Sequence, residues 1–245
     1  MPDETGGAIA QGRTLDVENR DYVFGPQPPV AIPITGSTAW FPVRRVWCVG
    51  RNYSAHAKEM GHDTREPPFF FSKQPDMLVP GGGRISYPSL TQNYHYEGEL
   101  VVALKSGGAN IAVADASRHI FGYAAGLDMT RRDLQKQMQE KGRPWEIGKS
   151  FDQSAPIGPL TPVSSRFDAG TIGLSVNNEV RQSSDVSQMT WNVEEVIAQL
   201  SRQVALAPGD IIFTGTPEGV GPVVPGDVVT LEIEGLVGLR VEIMA

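Results

Sequence analysis

The turns of this chain constrain its fold more than any other feature of the sequence. Pro-Gly-Asp occurs twice, at 208–210 and 225–227, and Asn177-Asn178 divides a segment of β-favouring residues. Pro, Gly and Asn in such clusters are typical of tight turns, and two adjacent residues that tolerate a left-handed backbone favour a β-hairpin. The second half of the chain is therefore predicted to consist mainly of short strands.

The first half alternates between strands and turns in the same way. The segment 94–105 has a two-residue period that becomes wholly apolar, which is typical of a strand entering the interior. Helices are predicted over 52–60, 130–142 and 192–204, the second capped by Thr130 and ended by Gly142. We predict a mostly β protein with some α (α+β), with an N-terminal extension over 1–45 and a catalytic domain over 46–245. Further strands are predicted at 46–50, 69–73, 171–176, 179–182, 211–216, 228–235 and 237–244.

Composition argues against several classes of function. The chain of 245 residues has 21 Lys and Arg against 28 Asp and Glu, a formal charge of −7, so it offers no clustered positive charge for nucleic acid or an anionic membrane. One cysteine, Cys48, excludes an internal disulfide and a thiolate zinc or iron–sulfur site. The acidic start, Met1 to Glu4, differs from a basic signal peptide, so we expect a cytoplasmic protein.

Three carboxylates are the candidate metal ligands. Glu97 and Glu99 lie two apart in a predicted strand, so both point to one face, and Asp128 ends the apolar segment FGYAAGLD. Together they would form an open oxygen site suited to Mg²⁺ or Mn²⁺. The alternatives are a solvated strand edge for the two glutamates and a carboxylate at a helix N-terminus for Asp128. His95 falls on the same face, either as a further metal ligand or as a neighbouring packing residue.

Cationic and amide side chains near these carboxylates are candidates for substrate binding. Arg132 and Gln135 share one side of a predicted helix, and a guanidinium beside an amide suits a carboxylate or keto group. Lys149 could stabilise a developing enolate or could be solvated. Thr216, in the loop TGTPEGVGP, supplies a hydroxyl. Arg132 and Gln135 could instead be ordinary surface residues of the helix.

His56 and Glu59 are a candidate catalytic pair. They lie three apart on a predicted helix, so the glutamate can orient the histidine as a general base that activates water. An exposed helical ion pair is the alternative. The chain has no phosphate-binding GxxxxGK[ST] loop and no GxSxG nucleophile elbow, and Cys48 lies in a predicted buried strand, so covalent catalysis is disfavoured.

These motifs, in this order, resemble the fumarylacetoacetate hydrolase superfamily over about residues 43–243. The resemblance is carried by CVGRNYSAHAKEMG, HYEGELVVAL, GYAAGLDMTRRDLQ, GRPWEIGKSFD and PGDIIFTGTPEGVGP. It implies a sandwich-like β-roll and a homodimer. The extension and EMGHDTREPPFFFSKQ are similar to the fumarylpyruvate hydrolases of gentisate breakdown, although Tyr96 stands where relatives often have a second histidine.

The resemblance also implies the role of each residue. It makes Glu97, Glu99 and Asp128 the ligands of Mg²⁺ or Mn²⁺, and it makes His56, Glu59 and Lys149 catalytic. The loop 61–68 would be a lid over the site. The residues implied in substrate binding are Arg51, Lys73, Arg132, Gln135 and Thr216.

The implied reaction is metal-dependent hydrolysis of the C–C bond of a dicarboxylic acylpyruvate, with fumarylpyruvate giving fumarate and pyruvate. Four alternatives remain open, and the first is a broader acylpyruvase that accepts other acyl groups. Oxaloacetate decarboxylation passes through the same pyruvate enolate without added water. Relatives that isomerise or decarboxylate meta-cleavage dienoates often lack the His–Glu pair. A silent binding module for dicarboxylates would bind its ligand without Mg²⁺ and without turnover.

Overall fold

The structure is a computed structural model that describes residues 22–53, 66–163 and 166–245. The first 21 residues of the N-terminal extension therefore lie outside the described part. Residues 54–60 of the predicted helix 52–60, with His56 and Glu59, and residues 61–65 of the predicted lid also lie outside it. No helix among the described residues is long and apolar enough to cross a membrane.

The described residues form eighteen strands and four α-helices, which confirms the predicted fold class. The helices are α1 (Val113–Ala116), α2 (Arg132–Glu140), α3 (Glu146–Lys149) and α4 (Val193–Gln203). The strands are β1 (Ala31–Pro33), β2 (Trp40–Pro42), β3 (Arg45–Gly50), β4 (Phe69–Lys73), β5 (Leu78–Pro80), β6 (Gly83–Ser86), β7 (Tyr94–Tyr96), β8 (Gly98–Leu104), β9 (Ile120–Leu127), β10 (Thr130–Arg131), β11 (Ala155–Ile157), β12 (Thr161–Pro162), β13 (Thr171–Val176), β14 (Glu179–Asp185), β15 (Asp210–Phe213), β16 (Gly221–Pro222), β17 (Val228–Ile233) and β18 (Leu239–Met244).

Two large sheets dominate the fold. An eight-stranded sheet has the order β4-β3-β15-β8-β9-β11-β5, with β12 added to β9, and a five-stranded sheet has the order β14-β13-β17-β18-β6. A third, three-stranded sheet has the order β10-β7-β16, and β1 pairs with β2 in a small separate ribbon. The predicted boundary near residue 45 coincides with the start of β3 but stays a prediction, since Ile32 and Phe41 of the ribbon are buried in the same core as Cys48.

Strand β8 separates the two hydrophobic cores. Leu100 and Val102 belong to the core between the two large sheets, together with Leu174 and Leu231. The alternate residue Val101 belongs to the second core. All seven residues of β8 are buried because both faces of the strand are covered, which explains why its sequence is a continuous apolar run.

The predicted turns are confirmed. Asn177 and Asn178 have φ values of 51° and 68°, and they join β13 and β14 as a hairpin. In both Pro-Gly-Asp turns the aspartate accepts a hydrogen bond from the backbone N–H three residues earlier, Asp210 from Ala207 at 3.0 Å and Asp227 from Val224 at 2.8 Å. The same side-chain bond therefore closes both turns.

The predicted cap of α2 is wrong. Thr130 and Arg131 form β10, which pairs with β7, and α2 begins at Arg132. The Thr130 hydroxyl donates to the carbonyl of Asp128 at 3.0 Å instead of capping the helix. A long-range strand pairing therefore overrides the local capping signal. The predicted stop is confirmed, because Gly142 follows the helix with φ 59°.

The single strand predicted over 94–105 is broken at Glu97. The chain leaves the three-stranded sheet after Tyr96 and enters the eight-stranded sheet at Gly98. A Cβ atom on Gly98 would lie 2.9 Å from Leu231 Cδ1 and 3.0 Å from Leu174 Cδ1, so the backbone here rests directly on the facing sheet. Glu97 therefore lies at the junction of the two sheets, next to this close approach.

The buried carboxylate of Asp210 stabilises the parallel pairing of β3 and β15. Arg44 donates to it at 3.0 and 3.2 Å, and Arg45 at 3.1 and 2.8 Å. We expect Asp210→Asn to lower the free energy of unfolding by about 2 kcal/mol, since the arginines are partly exposed and screened. Urea denaturation measures this loss.

The control variant is Glu242→Gln, because Glu242 is half-buried and its partner Arg84, at 3.4 Å, is exposed, so the pair contributes little. We expect it to change stability by less than about 0.5 kcal/mol. Equal losses in the two variants would contradict the role assigned to Asp210.

Candidate metal centre and active site

Three carboxylates meet at one end of β8 and β9. Glu97 precedes β8, Glu99 lies in it opposite Gly126, and Asp128 follows β9. The backbone N–H of Asp128 donates to the carbonyl of Glu97 at 2.9 Å, which joins the two ligand segments. One oxygen of each carboxylate lies within 4.8 Å of the other two. The structure thus brings together the three residues that the sequence marks as candidate metal ligands.

These carboxylates are buried, which excludes the solvated strand edge. Glu97 is 7% exposed, and Glu99 and Asp128 are each 1% exposed. Asp128 lies outside α2, which begins at Arg132, so the helix N-terminus does not explain its position. Burial of three negative charges requires compensating partners.

Two lysines compensate part of this charge. Lys149 donates to Glu97 Oε2 and Asp128 Oδ2, both at 2.7 Å, and to Thr130 Oγ1 at 2.8 Å. Lys73 Nζ lies 2.9 Å from Asp128 Oδ1 and donates to Ser154 Oγ at 3.0 Å. Burial alone would raise the pKa of Asp128, but Lys149 and Lys73 hold it below its ordinary value. Burial alone would lower the pKa of Lys149, whereas the two carboxylates raise it.

Glu99 is the least compensated carboxylate. Its Oε2 accepts a hydrogen bond from the Gly215 backbone N–H at 2.8 Å. Burial, followed by repulsion from Asp128 and Glu97, raises the pKa of Glu99 well above its ordinary value. A cation between the three carboxylates would remove this repulsion.

The donor set fits a hard divalent cation. Asp128 Oδ1 is buried and receives no hydrogen bond of acceptable geometry from the described residues, although Lys73 pairs with it as an ion. Mg²⁺ and Mn²⁺ prefer oxygen ligands and leave positions for water or substrate when the protein supplies three. Among the described residues, the group that could hold a metal consists of these three carboxylates and does not include His95.

His95 contacts the arginine of the site instead. Its Nε2 lies 2.8 Å from Asn93 Oδ1, and Arg132 Nε lies 3.5 Å from its Nδ1. Burial, followed by the charge of Arg132, lowers the pKa of His95 to about 4. A neutral imidazole is therefore available to accept the contact from Arg132.

The predicted pair on α2 is brought together at the site. Arg132 donates to Gln135 Oε1 at 2.6 Å and also contacts Glu97 Oε1. The first turn of α2 thus places the Arg132 guanidinium beside the carboxylates, where its contacts with Gln135 and Glu97 fix its orientation. A fixed guanidinium of this kind can recognise a planar carboxylate.

A cavity of about 830 Å³ opens over the carboxylates. Arg51 and Thr216 contribute to its wall, as the sequence led us to expect, whereas Lys73 lies behind Asp128 and is not among the described lining residues. Arg51 has a left-handed backbone, with φ 59°, and follows Gly50, where a Cβ would come within 2.0 Å of the Phe69 ring. The described lining residues are Val49, Gly50, Arg51, Tyr53, Phe71, Glu97, Glu99, Asp128, Arg132, Gln135, Gln139, Trp145, Lys149, Ser184, Gln188, Thr216, Pro217, Glu218 and Val220.

Sequence reasoning missed several residues around this cavity. Tyr53, Gln139, Ser184 and Gln188 line it, and Gln182 lies beneath its wall, where it donates to Thr216 Oγ1 at 2.8 Å. The sequence signal for Gln182 was its polar side chain at a position where β14 faces the interior. His56 and Glu59 lie outside the described residues.

The chain is similar in sequence to two proteins of known activity. The chain is 47% identical over 172 residues to a fumarylpyruvate hydrolase of a Ralstonia species, covering 70% of this chain and 90% of that protein. It is 38% identical over 200 residues to a mitochondrial oxaloacetate decarboxylase of Dictyostelium discoideum, covering 80% and 92%.

A solved structure is similar over nearly the whole chain. The crystal structure of fumarylpyruvate hydrolase from Pseudomonas aeruginosa, in complex with Mn²⁺ and pyruvate, matches with a TM-score of 0.86 and 53% identity, covering 91% of this chain and 99% of that one. The model of the fumarylacetoacetate (FAA) hydrolase C-terminal family matches residues 45–244. The chain therefore belongs to the fumarylacetoacetate hydrolase family.

Proposed function

We propose that this protein hydrolyses the C–C bond of an acylpyruvate, with fumarylpyruvate giving fumarate and pyruvate. The observation that carries the proposal is the buried cluster of Glu97, Glu99 and Asp128 at the floor of a cavity with cationic walls. The resemblance to fumarylpyruvate hydrolases, one of them solved with Mn²⁺ and pyruvate, supports the substrate. Breakdown of aromatic compounds through gentisate is the corresponding metabolic role.

The three carboxylates would hold Mg²⁺ or Mn²⁺. When bound, the cation supplies a Lewis acid that polarises the pyruvoyl group and stabilises negative charge on it. The three carboxylates are already fixed by Lys149, Lys73 and the Gly215 N–H, so their positions do not depend on the substrate. Such preorganisation lowers the cost of binding.

Arg132, Gln135 and Thr216 would bind the substrate. The contact of Arg132 with Gln135 fixes the plane of its guanidinium, which suits the carboxylate of the pyruvoyl group. All three protons of the Lys149 ammonium are engaged by Glu97, Asp128 and Thr130, so this lysine acts as a fixed positive charge. It would stabilise the negative charge that develops on the pyruvate enolate as the C3–C4 bond breaks.

The bond changes balance with water as the sole co-reactant. His56, oriented by Glu59, would remove a proton from water, and the resulting hydroxide oxygen bonds to C4 of the acylpyruvate. The C3–C4 bond then breaks, and its electron pair passes to the pyruvate enolate. The proton held by His56 would pass to C3 and complete pyruvate, and C4 becomes the new carboxyl carbon of fumarate. The loop 61–68 would cover the site during these steps.

Cellular context and assembly are proposed from the sequence and the family resemblance. The single cysteine, which leaves no internal disulfide, supports a cytoplasmic protein. The family resemblance supports a homodimer. Sedimentation equilibrium of the purified chain measures its mass against the 26.5 kDa of one copy.

The direct test of the proposed function is loss of the enol-diketone absorbance of fumarylpyruvate. We expect rapid loss with Mg²⁺ or Mn²⁺, equimolar appearance of fumarate and pyruvate, and no reaction in excess EDTA. Acetylpyruvate and oxaloacetate are assayed in parallel under the same conditions. Faster turnover of acetylpyruvate would widen the assignment to a general acylpyruvase, and inactivity on both acylpyruvates would overturn it.

Removing one carboxylate charge should strongly reduce metal-dependent turnover. We expect Glu99→Gln to reduce kcat/KM for fumarylpyruvate on the order of 1,000-fold and to weaken Mn²⁺ binding measured by electron paramagnetic resonance. Glu140→Gln is the matched control, because Glu140 lies exposed on α2 and its nearest cation, Lys136, is 4.0 Å away. Unchanged Mn²⁺ affinity in Glu99→Gln would contradict the assigned metal site.

Oxaloacetate decarboxylation is the second candidate function, because the chain is 38% identical to an oxaloacetate decarboxylase. This reaction forms the pyruvate enolate without added water. His56→Ala should therefore lower fumarylpyruvate hydrolysis by about 100-fold or more, and oxaloacetate decarboxylation by a much smaller factor.

His119→Ala is the control for this comparison, because His119 contacts Ser106 Oγ at 2.9 Å and is not among the cavity-lining residues. Steady-state kinetics with both substrates separate the two functions. An equal loss of both activities in His56→Ala would count against a water-activating role.

A further inference from the structure

A buried glutamine joins the two sides of the cavity. Gln182 lies on β14, in the five-stranded sheet, and is 1% exposed. Its Oε1 accepts a hydrogen bond from the backbone N–H of Gly98 at 3.0 Å. Its Nε2 donates to Thr216 Oγ1 and to the Pro217 carbonyl, both at 2.8 Å. One side chain thus contacts the segment that carries the carboxylates and the loop that carries Thr216.

The orientation of this amide is fixed by its neighbours. A backbone N–H can only donate and a backbone carbonyl can only accept, so the oxygen must face Gly98 and the nitrogen must face Pro217. A second carbonyl, that of Glu218, lies 3.4 Å from the nitrogen. With the amide reversed, its NH₂ group would face the Gly98 N–H and its oxygen would face the Pro217 carbonyl, and neither pair can form a hydrogen bond.

This orientation determines what the Thr216 hydroxyl can do. The oxygen of Thr216 accepts the second Nε2 hydrogen of Gln182, so the hydroxyl proton is not used in this bond. Thr216 also lines the cavity that contains Glu97 and Glu99. Among the residues that the structure describes this proton has no acceptor, so it can donate to an anionic oxygen of a ligand in that cavity.

The other end of the amide acts on the carboxylates through the backbone. Gly98 lies between Glu97 and Glu99, and a Cβ atom there would lie 3.1 Å from Gln182 Oε1. The loop on the other side is equally close to β14, because a Cβ atom on Gly219 would lie 2.1 Å from the Arg181 carbonyl. Both walls of the cavity therefore rest on the same stretch of β14.

We propose that Gln182 is a positioning residue that presents the Thr216 hydroxyl as a hydrogen-bond donor to the carboxylate or keto oxygen of the pyruvoyl group. This inference rests on the proposed function for the identity of the ligand. The same amide holds the Gly98 backbone between two candidate metal ligands. Gln182 itself does not contact the substrate.

The first experiment compares Gln182→Met with Ser201→Ala. Methionine keeps the approximate length of the side chain and removes its hydrogen bonds. Ser201 is a buried residue that also accepts from a backbone N–H, that of Ile111 at 2.8 Å, and donates to a carbonyl, that of Ala198 at 2.8 Å, and it is not among the cavity-lining residues. Calorimetry of pyruvate binding to the Mn²⁺-loaded proteins measures the effect without turnover.

We expect Gln182→Met to raise the Kd of pyruvate and the KM of fumarylpyruvate by about tenfold, whereas Ser201→Ala changes Tm alone. Thr216→Val should produce the same increase, and Thr216→Ser, which keeps the hydroxyl, should restore most of the affinity. In the Thr216→Val background, Gln182→Met should cause much less than its own tenfold effect, because both changes remove the same donor.

Three results would overturn the inference: unchanged pyruvate affinity in Gln182→Met, equal affinities in Thr216→Val and Thr216→Ser, or fully additive effects in the double variant. If Gln182→Met does not fold, equal affinities in Thr216→Val and Thr216→Ser still overturn the inference. If the wild type fails to hydrolyse fumarylpyruvate but the pyruvate affinities change as expected, the proposed function fails and the role of Gln182 stands.

Discussion

Three carboxylates held together out of water are the constraint on which the rest of the site depends. Separately, each would need a counterion, and together their burial, followed by their mutual repulsion, raises the pKa of Glu99. The chain meets this demand with Lys149 and Lys73, both buried, and with Arg132 from the first turn of α2. These cations lie on β4, α2 and α3, and the three elements place them around the ends of β8 and β9.

Much of the fold was predictable because it is determined locally. The Asn177-Asn178 hairpin and the two Pro-Gly-Asp turns depend on residues within three positions of each other, and their backbone angles agree with the sequence pattern. The apolar run of β8 also predicted a strand buried on both faces. Local propensity and tertiary environment agree in these segments.

The errors occurred where distant strands decide the outcome. Thr130 has the chemistry of a helix cap, yet pairing of β10 with β7 draws it into a strand. Glu97 belongs to a pattern that continues through 94–105, yet the chain changes sheets at that residue. Gln182 became recognisable only when its partners at Gly98 and Thr216, far away in sequence, were brought to it. The candidate ligands were predictable because their spacing is a local property of two strands, whereas the roles of His56 and Glu59 stay predictions.

The balance of charge at the floor of the cavity has a consequence for selectivity. Glu97, Glu99 and Asp128 contribute three negative charges, and their ion-pair partners Lys73, Lys149 and Arg132 contribute three positive charges, so the cluster by itself is close to neutral. Adding a divalent cation leaves an excess of two positive charges at the floor of the cavity. That excess matches a doubly charged anion, so the metal-loaded cavity should discriminate among ligands by total charge before it discriminates by shape.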